Sequence, residues 1–202
     1  MQELGGTKQA IFEAAVNLFA RDNYHHVSVR QIAKTVGIMA SSIYNHYASK
    51  EAILLDIYDY FDTNMARLMP DLGTLMQMAE TAHPHDVLRA TTVVYPQAIV
   101  PTMAKAMLVT ASMTSSDPRA EDLIHRNLIE MPYLYDIPLL NKMMDLDRIE
   151  PLDAESFALM HSCYCHSAAV RFYGSHGIDT DTWIRGMELL FGRVVVKQPA
   201  HA

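Results

Sequence analysis

The stretch that decides the fold is Ser28–Lys50, SVRQIAKTVGIMASSIYNHYASK. It reads as two short helices joined by a tight turn. Ser28 opens the first, and Gln31 stands three residues on, the spacing at which the two side chains satisfy each other's orphan backbone donors. Ile32, Ala33 and Val36 follow at helical spacing. Gly37 stops the helix, since glycine takes the left-handed backbone just past a helix end at little cost. The spacing predicts a second helix from about Met39 to about His46. It carries one apolar side chain, Ile43, among Ser41, Ser42, Tyr44, Asn45 and His46. A helix so poor in apolar residues gains little from core packing and is expected to face a partner. The pattern is that of a helix-turn-helix.

From here the reading extends to a family. The segment TVGIMASSIYNHYASKEAILLDIYDYF (35–61) resembles the one that marks TetR-type transcriptional regulators. The matching features are Ile32-Ala33, Gly37-Ile38, Ile43-Tyr44, His46-Tyr47 and Ser49-Lys50-Glu51 followed by Ile53-Leu54. Met39 stands where that family commonly has a capping serine, and Ser41 where it commonly has glycine. The resemblance covers roughly residues 7–60, and beyond them it is one of length and helical character. It implies a homodimeric regulator that binds double-stranded DNA and releases it when a small molecule binds the body.

Composition sets the bounds. The 202 residues fit one large domain or two small ones, and half of them are hydrophobic. The formal net charge of −7 argues against a nucleic-acid binder until its distribution is considered. Residues 1–50 sum to +2 and the remainder to −9, a mildly basic head on an acidic body. So few cations per chain point to a dimer on the phosphates. Two cysteines, no basic-then-apolar start and no apolar run of the ~18 residues a membrane span needs predict a cytoplasmic protein.

Along the chain, Thr7–Tyr24 is expected to form a helix with Ile11, Ala14, Ala15, Leu18 and Phe19 as its apolar stripe. His25 and His26 are expected in a solvated loop. Ser49 should cap a longer helix to about Met69, with Ile53, Leu54, Ile57, Tyr58 and Phe61 on its apolar face. The expected partition is a helix-turn-helix head at 1–48, a connecting helix at 49–69, and a ligand-binding and dimerisation domain at 70–202. The body reads as helical throughout, so the fold class is all-α. Leu72–Thr81 is a helix or an arm. His83-Pro84-His85 is a break, with Asp86 capping the next helix. Further helices are expected at Thr102–Ser112 and from Pro118 towards Arg148, the latter broken at Pro132 and Pro138. The two longest are Asp153–His176 and Asp181–Val196, before a frayed tail from Lys197.

These last two helices, 153–176 and 181–196, suggest a dimer. Phe157, Tyr164, Ala168 and Phe172 share one face of the first. Trp183, Met187, Leu190, Phe191 and Val194 share one face of the second, with Gly186 and Gly192 permitting close approach. Two such hairpins can form a four-helix bundle across a two-fold axis, which also predicts a near-palindromic operator. The body holds many of the 14 methionines, flexible side chains suited to an adaptable apolar pocket. Tyr95, Met103, Met107, Met131, Tyr135, Met160 and Tyr164 are the candidate contacts for an apolar or aromatic effector.

His161, Cys163, Cys165 and His166 form the single chemical cluster. On a helix His161 and Cys165 share one face and Cys163 and His166 another, so one metal cannot readily take all four. A metal site would need His83, His85 or His125 as well. No glycine-rich phosphate loop, GxSxG or HExxH occurs, so no catalytic residue and no cofactor is expected. For DNA, Ser28, Arg30, Tyr44, His46 and Lys50 are expected at phosphates, and Ser41, Ser42 and Asn45 at base edges. Two alternatives stand beside this reading. One is a ligand-binding helical protein whose head serves protein interaction. The other is a metal- or redox-sensing regulator.

Overall fold

The computed structural model describes residues 6–68, 70–91, 100–173 and 179–197, with side chains described except at 168–173 and 180. Among these residues the regular structure is helical, with one isolated antiparallel bridge between Ile149 and Val196. The helices form two compact units, and chain order does not separate them. Residues 1–65 join 100–124 in one, and residues 66–99 join 125–202 in the other. By packing, then, the helices from Pro101 to Ile124 belong with the head, whereas the sequence partition assigns everything after residue 70 to the body.

In the first unit α1 (Gly6–Asp22) is the central element. The expected stripe of Ile11, Ala15, Leu18 and Phe19 is buried, and so are Phe12 and Val16, around the helix from that stripe. The second face is covered because α1 packs on α7 (Pro101–Met113) as well as on α2 (Val29–Val36). Pro101 opens α7, the position where a missing N–H costs nothing. The short α8 (Pro118–Ile124) lies against α7. The connecting helix α4 (Lys50–Leu68) buries Ile53, Leu54, Ile57, Tyr58 and Phe61 as expected. Its Tyr58 hydroxyl donates to Asp117 Oδ2 at 3.0 Å, and burial together with that acceptor raises the phenol pKa. Arg119 pairs with Asp59 beside it.

The second unit is built on α9 (Met131–Asp145) and α10 (Ala154–Tyr173), with α5 (Leu72–Thr81), α6 (Pro84–Thr91) and α11 (Thr180–Phe191) around them. Asp71 caps α5 and Asp179 caps α11, each accepting a backbone N–H of the first turn. Several expectations need correction. Pro84 is the first residue of α6, so Asp86 lies inside the helix instead of capping it. A π-helical turn, His125–Glu130, precedes Pro132, and α9 continues through Pro138 unbroken. Lys197 is tied down: its N–H donates to Arg148 O at 2.9 Å and its ammonium meets Asp147.

Trp183, Met187, Phe191 and Val194 are buried within the single chain, as is Phe157. The expected dimer faces are therefore largely core of this unit, and Ala168 and Phe172 lie outside the described side chains. Among the described side chains, the large apolar residues that α10 and α11 leave exposed are Leu159, Met160 and Leu189.

The expected close approach at Gly186 is present. Tyr164 donates its hydroxyl to Trp183 O at 2.7 Å, and a Cβ at Gly186 would overlap that hydroxyl and its ring. Gly186→Ala should therefore cost about 2 kcal/mol, as overpacking does, and lower Tm by roughly 4–8 °C for a chain of this size. Tyr164→Ala in the same chain should recover part of the loss. A thermal melt of Gly186→Ala that matches the parent would show that the ring moves aside freely.

Candidate nucleic-acid interface

The turn motif is assembled by short-range bonds. Ser28 N donates to Gln31 Oε1 at 2.7 Å and Gln31 N donates to Ser28 Oγ at 3.3 Å, the reciprocal cap that the spacing predicts. Gly37 ends α2 with φ 78°, and Ile38 N donates to Ala33 O at 3.0 Å. The next helix, α3, spans only Ala40–Ile43. The chain from Tyr44 to His46 continues as tighter turns, with Tyr44, Asn45 and His46 each donating to the carbonyl three residues back. Two causes shorten the helix against the expected Met39–His46. Met39 offers no side-chain cap. The one buried anchor within it is Ile43, with Tyr47 the next buried residue after the turn. Tyr47 is fixed in turn by donating its hydroxyl to Asp56 Oδ2 at 2.6 Å.

Around these anchors Arg30, Ser41, Tyr44, Asn45 and His46 are exposed and Ser42 is half-buried. Six of the eight expected DNA residues thus stand on the surface of α2, α3 and the turn after α3. Ser28 is exposed too, but its hydroxyl is engaged in the cap. Lys50 is placed differently from the expected phosphate contact. Its ammonium donates to Tyr24 O and to Val27 O, both at 2.8 Å, and sits 4.0 Å from the centre of the Tyr24 ring. Burial lowers its pKa. Lys50 therefore ties the start of α4 to the turn before α2.

The other head cations divide the same way. Lys8 lies 3.6 Å from Asp56 and over the Tyr47 ring, and Arg21 donates to Asp22 at 2.8 Å. Arg30 and Lys34, both exposed, form no ion pair among the described residues. Lys34 and Met39, the latter 73% exposed at the start of α3, are surface residues that the pattern reading did not assign to DNA. Their exposure depends on where α2 and α3 meet α1, which spacing does not reveal.

The candidate effector residues fall in both units. Met103 and Met107 are core of the first unit, under α1. Met131 and Tyr135 lie on α9 in the second, where the Tyr135 hydroxyl donates to Pro70 O at 2.9 Å. Met160 is 49% exposed, Tyr164 packs on Gly186, and Tyr95 lies outside the described residues. The buried polar group that stands out instead is an ion pair, His161 Nδ1 to Asp136 Oδ2 at 2.6 Å, with Thr91 Oγ1 3.4 Å from the other carboxylate oxygen. Burial opposes charge on this imidazole, but Cys165 and Asp136 outweigh it and the pKa is pushed up to about 10. Among the described residues no three histidine, cysteine or carboxylate side chains are grouped to hold a metal. No helix among them is long and apolar enough to cross a membrane.

Comparison with known proteins agrees with this geometry. Residues 11–57 match the family of bacterial regulatory proteins of the tetR type. The chain is 36% identical over 63 residues to the HTH-type transcriptional regulator YuxN of Bacillus subtilis, which is 31% of this chain and 22% of that protein. It is 33% identical over 89 residues to the HTH-type transcriptional repressor AcnR of Corynebacterium diphtheriae, 43% of this chain and 47% of that one. The matched part thus spans less than half the length of either curated relative. The whole fold is shared more widely. The ketosteroid transcriptional regulator KstR2 of Mycobacterium tuberculosis superposes with a TM-score of 0.65 at 18% identity, covering 97% of this chain and 98% of that one. The matched segment, running from α1 into α4, is thus a domain of the tetR type of bacterial regulatory proteins, and the chain as a whole shares its helical fold with KstR2.

Proposed function

We propose that the chain is a cytoplasmic, homodimeric DNA-binding transcriptional repressor, released from a near-palindromic operator by a small-molecule effector. TetR-type regulators are not enzymes, and the reading assigns no reaction. The observation that carries it is the capped, glycine-terminated turn that exposes Arg30, Ser41, Tyr44, Asn45 and His46 together on the matched segment. Arg30, Tyr44 and His46 serve the phosphates, with Lys34 added, while Ser41, Ser42 and Asn45 reach base edges, where Asn pairs with adenine. Dimerisation uses α10 and α11 through the exposed Leu159, Met160 and Leu189, since the opposite faces are already buried. Release by effector is a population shift, which requires the effector to bind the two forms unequally.

The test is fluorescence anisotropy on the DNA flanking the chain's own gene, with competitor DNA, across a salt series. With two free cations per head, a dimer neutralises about four phosphates, so log K should fall with log salt with a slope of roughly −4. Tight binding that survives competitor supports the reading. Equal, weak binding to every duplex would favour a head that serves protein contacts.

Four substitutions separate the roles. Arg30→Ala should weaken binding to all sequences alike and flatten the salt slope by about 2 per dimer. Lys50→Ala should instead lower the Tm of the free protein, since two backbone acceptors lose a charged donor at about 1–3 kcal/mol. An unchanged melt with lost affinity would return Lys50 to the phosphates. Asn45→Ala should relax preference at one base pair, read by selection from a randomised operator. Leu189→Glu should shift the protein towards monomer in analytical ultracentrifugation. A dimer as tight as the parent's would move the interface off this face.

A further inference from the structure

Asp136 and His161 form a buried ion pair in the second unit, where α6, α9, α10 and α11 meet. Asp136 is 0% exposed and His161 1%. His161 Nδ1 donates to Asp136 Oδ2 at 2.6 Å, short enough to be a charge-assisted bond. Thr91 Oγ1 lies 3.4 Å from the other carboxylate oxygen, but it also donates to Leu88 O at 2.8 Å, so it adds little to Asp136. Burial opposes charge on the imidazole, but Cys165 and Asp136 outweigh it, so the ring is an imidazolium with a proton on each nitrogen. The two N–H bonds of that ring diverge, and the one on Nε2 points away from Asp136. Nε2 is buried and has no hydrogen-bond partner among the described residues. The rings of Phe157 and Phe191 stand edgewise to the imidazole, 6.4 and 5.8 Å between centres, and neither carries an oxygen or nitrogen. Stability alone does not account for such a pair, because apolar side chains of the same volume hold a core at least as well. A charged donor left unmet in the interior calls for an explanation, and an acceptor delivered from outside the chain supplies one.

We propose, resting on the effector reading above, that His161 is the polar anchor of a ligand site in the second unit, and that the ligand is an uncharged, largely apolar compound whose carbonyl oxygen accepts the hydrogen bond of Nε2–H. Charge selects this class. Imidazolium and carboxylate cancel, so a neutral acceptor leaves the site neutral. A ligand carboxylate would bring one net negative charge into an apolar interior, at a high desolvation cost. An ammonium would set donor against donor, and a hydrocarbon would leave Nε2–H unmet. Asp136 does not touch the ligand: it holds the ring in place and keeps it charged, as a carboxylate behind a histidine does. Phe157 and Phe191 offer the apolar part of the ligand an aromatic surface. His161 is sealed in this form, so the ligand reaches Nε2 only in a form whose cover has moved. Binding one form and not the other is the unequal affinity that a population shift requires.

The experiment uses the full chain without DNA and three matched probes. Acetophenone carries the carbonyl, ethylbenzene lacks it, and benzoate replaces it with a charge. Titration calorimetry gives the affinities, and the ring nitrogen resonances of chain labelled with 15N-histidine report Nε2 directly. Acetophenone should bind about tenfold more tightly than either of the others, the worth of one hydrogen bond to a charged donor, and should shift the Nε2 signal of His161. Asp136→Leu together with His161→Phe removes both charges at similar volume, so the double variant should keep the parent's Tm or exceed it. It should bind acetophenone and ethylbenzene equally. Acetophenone no tighter than ethylbenzene in the parent overturns the proposal, and so does a preference that survives in the double variant. Binding of none of the three at millimolar concentration overturns it too. Should the double variant fail to fold, the parent's preference and the Nε2 shift decide alone. DNA is added last: a ketone held on Nε2 that leaves DNA binding unchanged upholds the ligand site and refutes release by effector.

Discussion

The first unit depends on one constraint, that α1 is buried on both sides. A surface helix needs one apolar stripe, and the remainder of its circumference is free to be polar. Here the stripe of Ile11, Ala15, Leu18 and Phe19 is joined by Phe12 and Val16, which are equally sealed. Both covers are needed, because two buried aromatic and aliphatic faces in water would each cost several kcal/mol. The turn motif supplies one cover and α7 the other. The angle at which α2 and α3 present their polar side chains is thus set by a helix whose far side is held by residues some ninety positions later in the chain.

The second organising effect is the division of positive charge. The head carries only five lysines and arginines among residues 1–50, and three of them serve the fold. Lys50 is the clearest case. Its ammonium donates to two carbonyls of the 24–27 turn, and the Tyr24 face completes its surroundings. That leaves Arg30 and Lys34 beside the turn, so specificity must come mainly from geometry and neutral hydrogen-bonding groups. A short α3 suits this division. It is a surface shaped by its anchors Ile43 and Tyr47, and its exposed residues owe little to one another.

What was legible in the sequence was local. The Ser28–Gln31 cap, the Gly37 stop and the Ser49 cap of α4 each rest on residues within four positions, and each was read at its place. The apolar periodicity of α4 also decided which face turned inward. What required the chain to fold back was not legible. Trp183, Met187 and Phe191 announce a buried stripe, but periodicity cannot say whether its cover is the same chain or another. Pro138 looks like a break, yet α9 passes through it, because packing on α10, α5 and α6 holds the helix together across one missing donor. Lys50 reads as a phosphate ligand by position, and only the return of the 24–27 turn beside it redirects the side chain. The burial of Met103 and Met107 was illegible for the same reason, since a methionine at helical spacing does not say whether it fills a core or lines a pocket.

The assignment of Pro101–Ile124 to the first unit has a consequence in time. A chain emerging from the ribosome completes α4 at Leu68, but α1 still lacks its second cover until α7 and α8 follow. At roughly 5–20 residues per second the wait is about 3–11 s, during which the side of α1 that packs on α7 stays open to water and to other nascent chains. The helix-turn-helix comes first in the sequence, yet the unit that holds it closes only when the chain has reached Ile124.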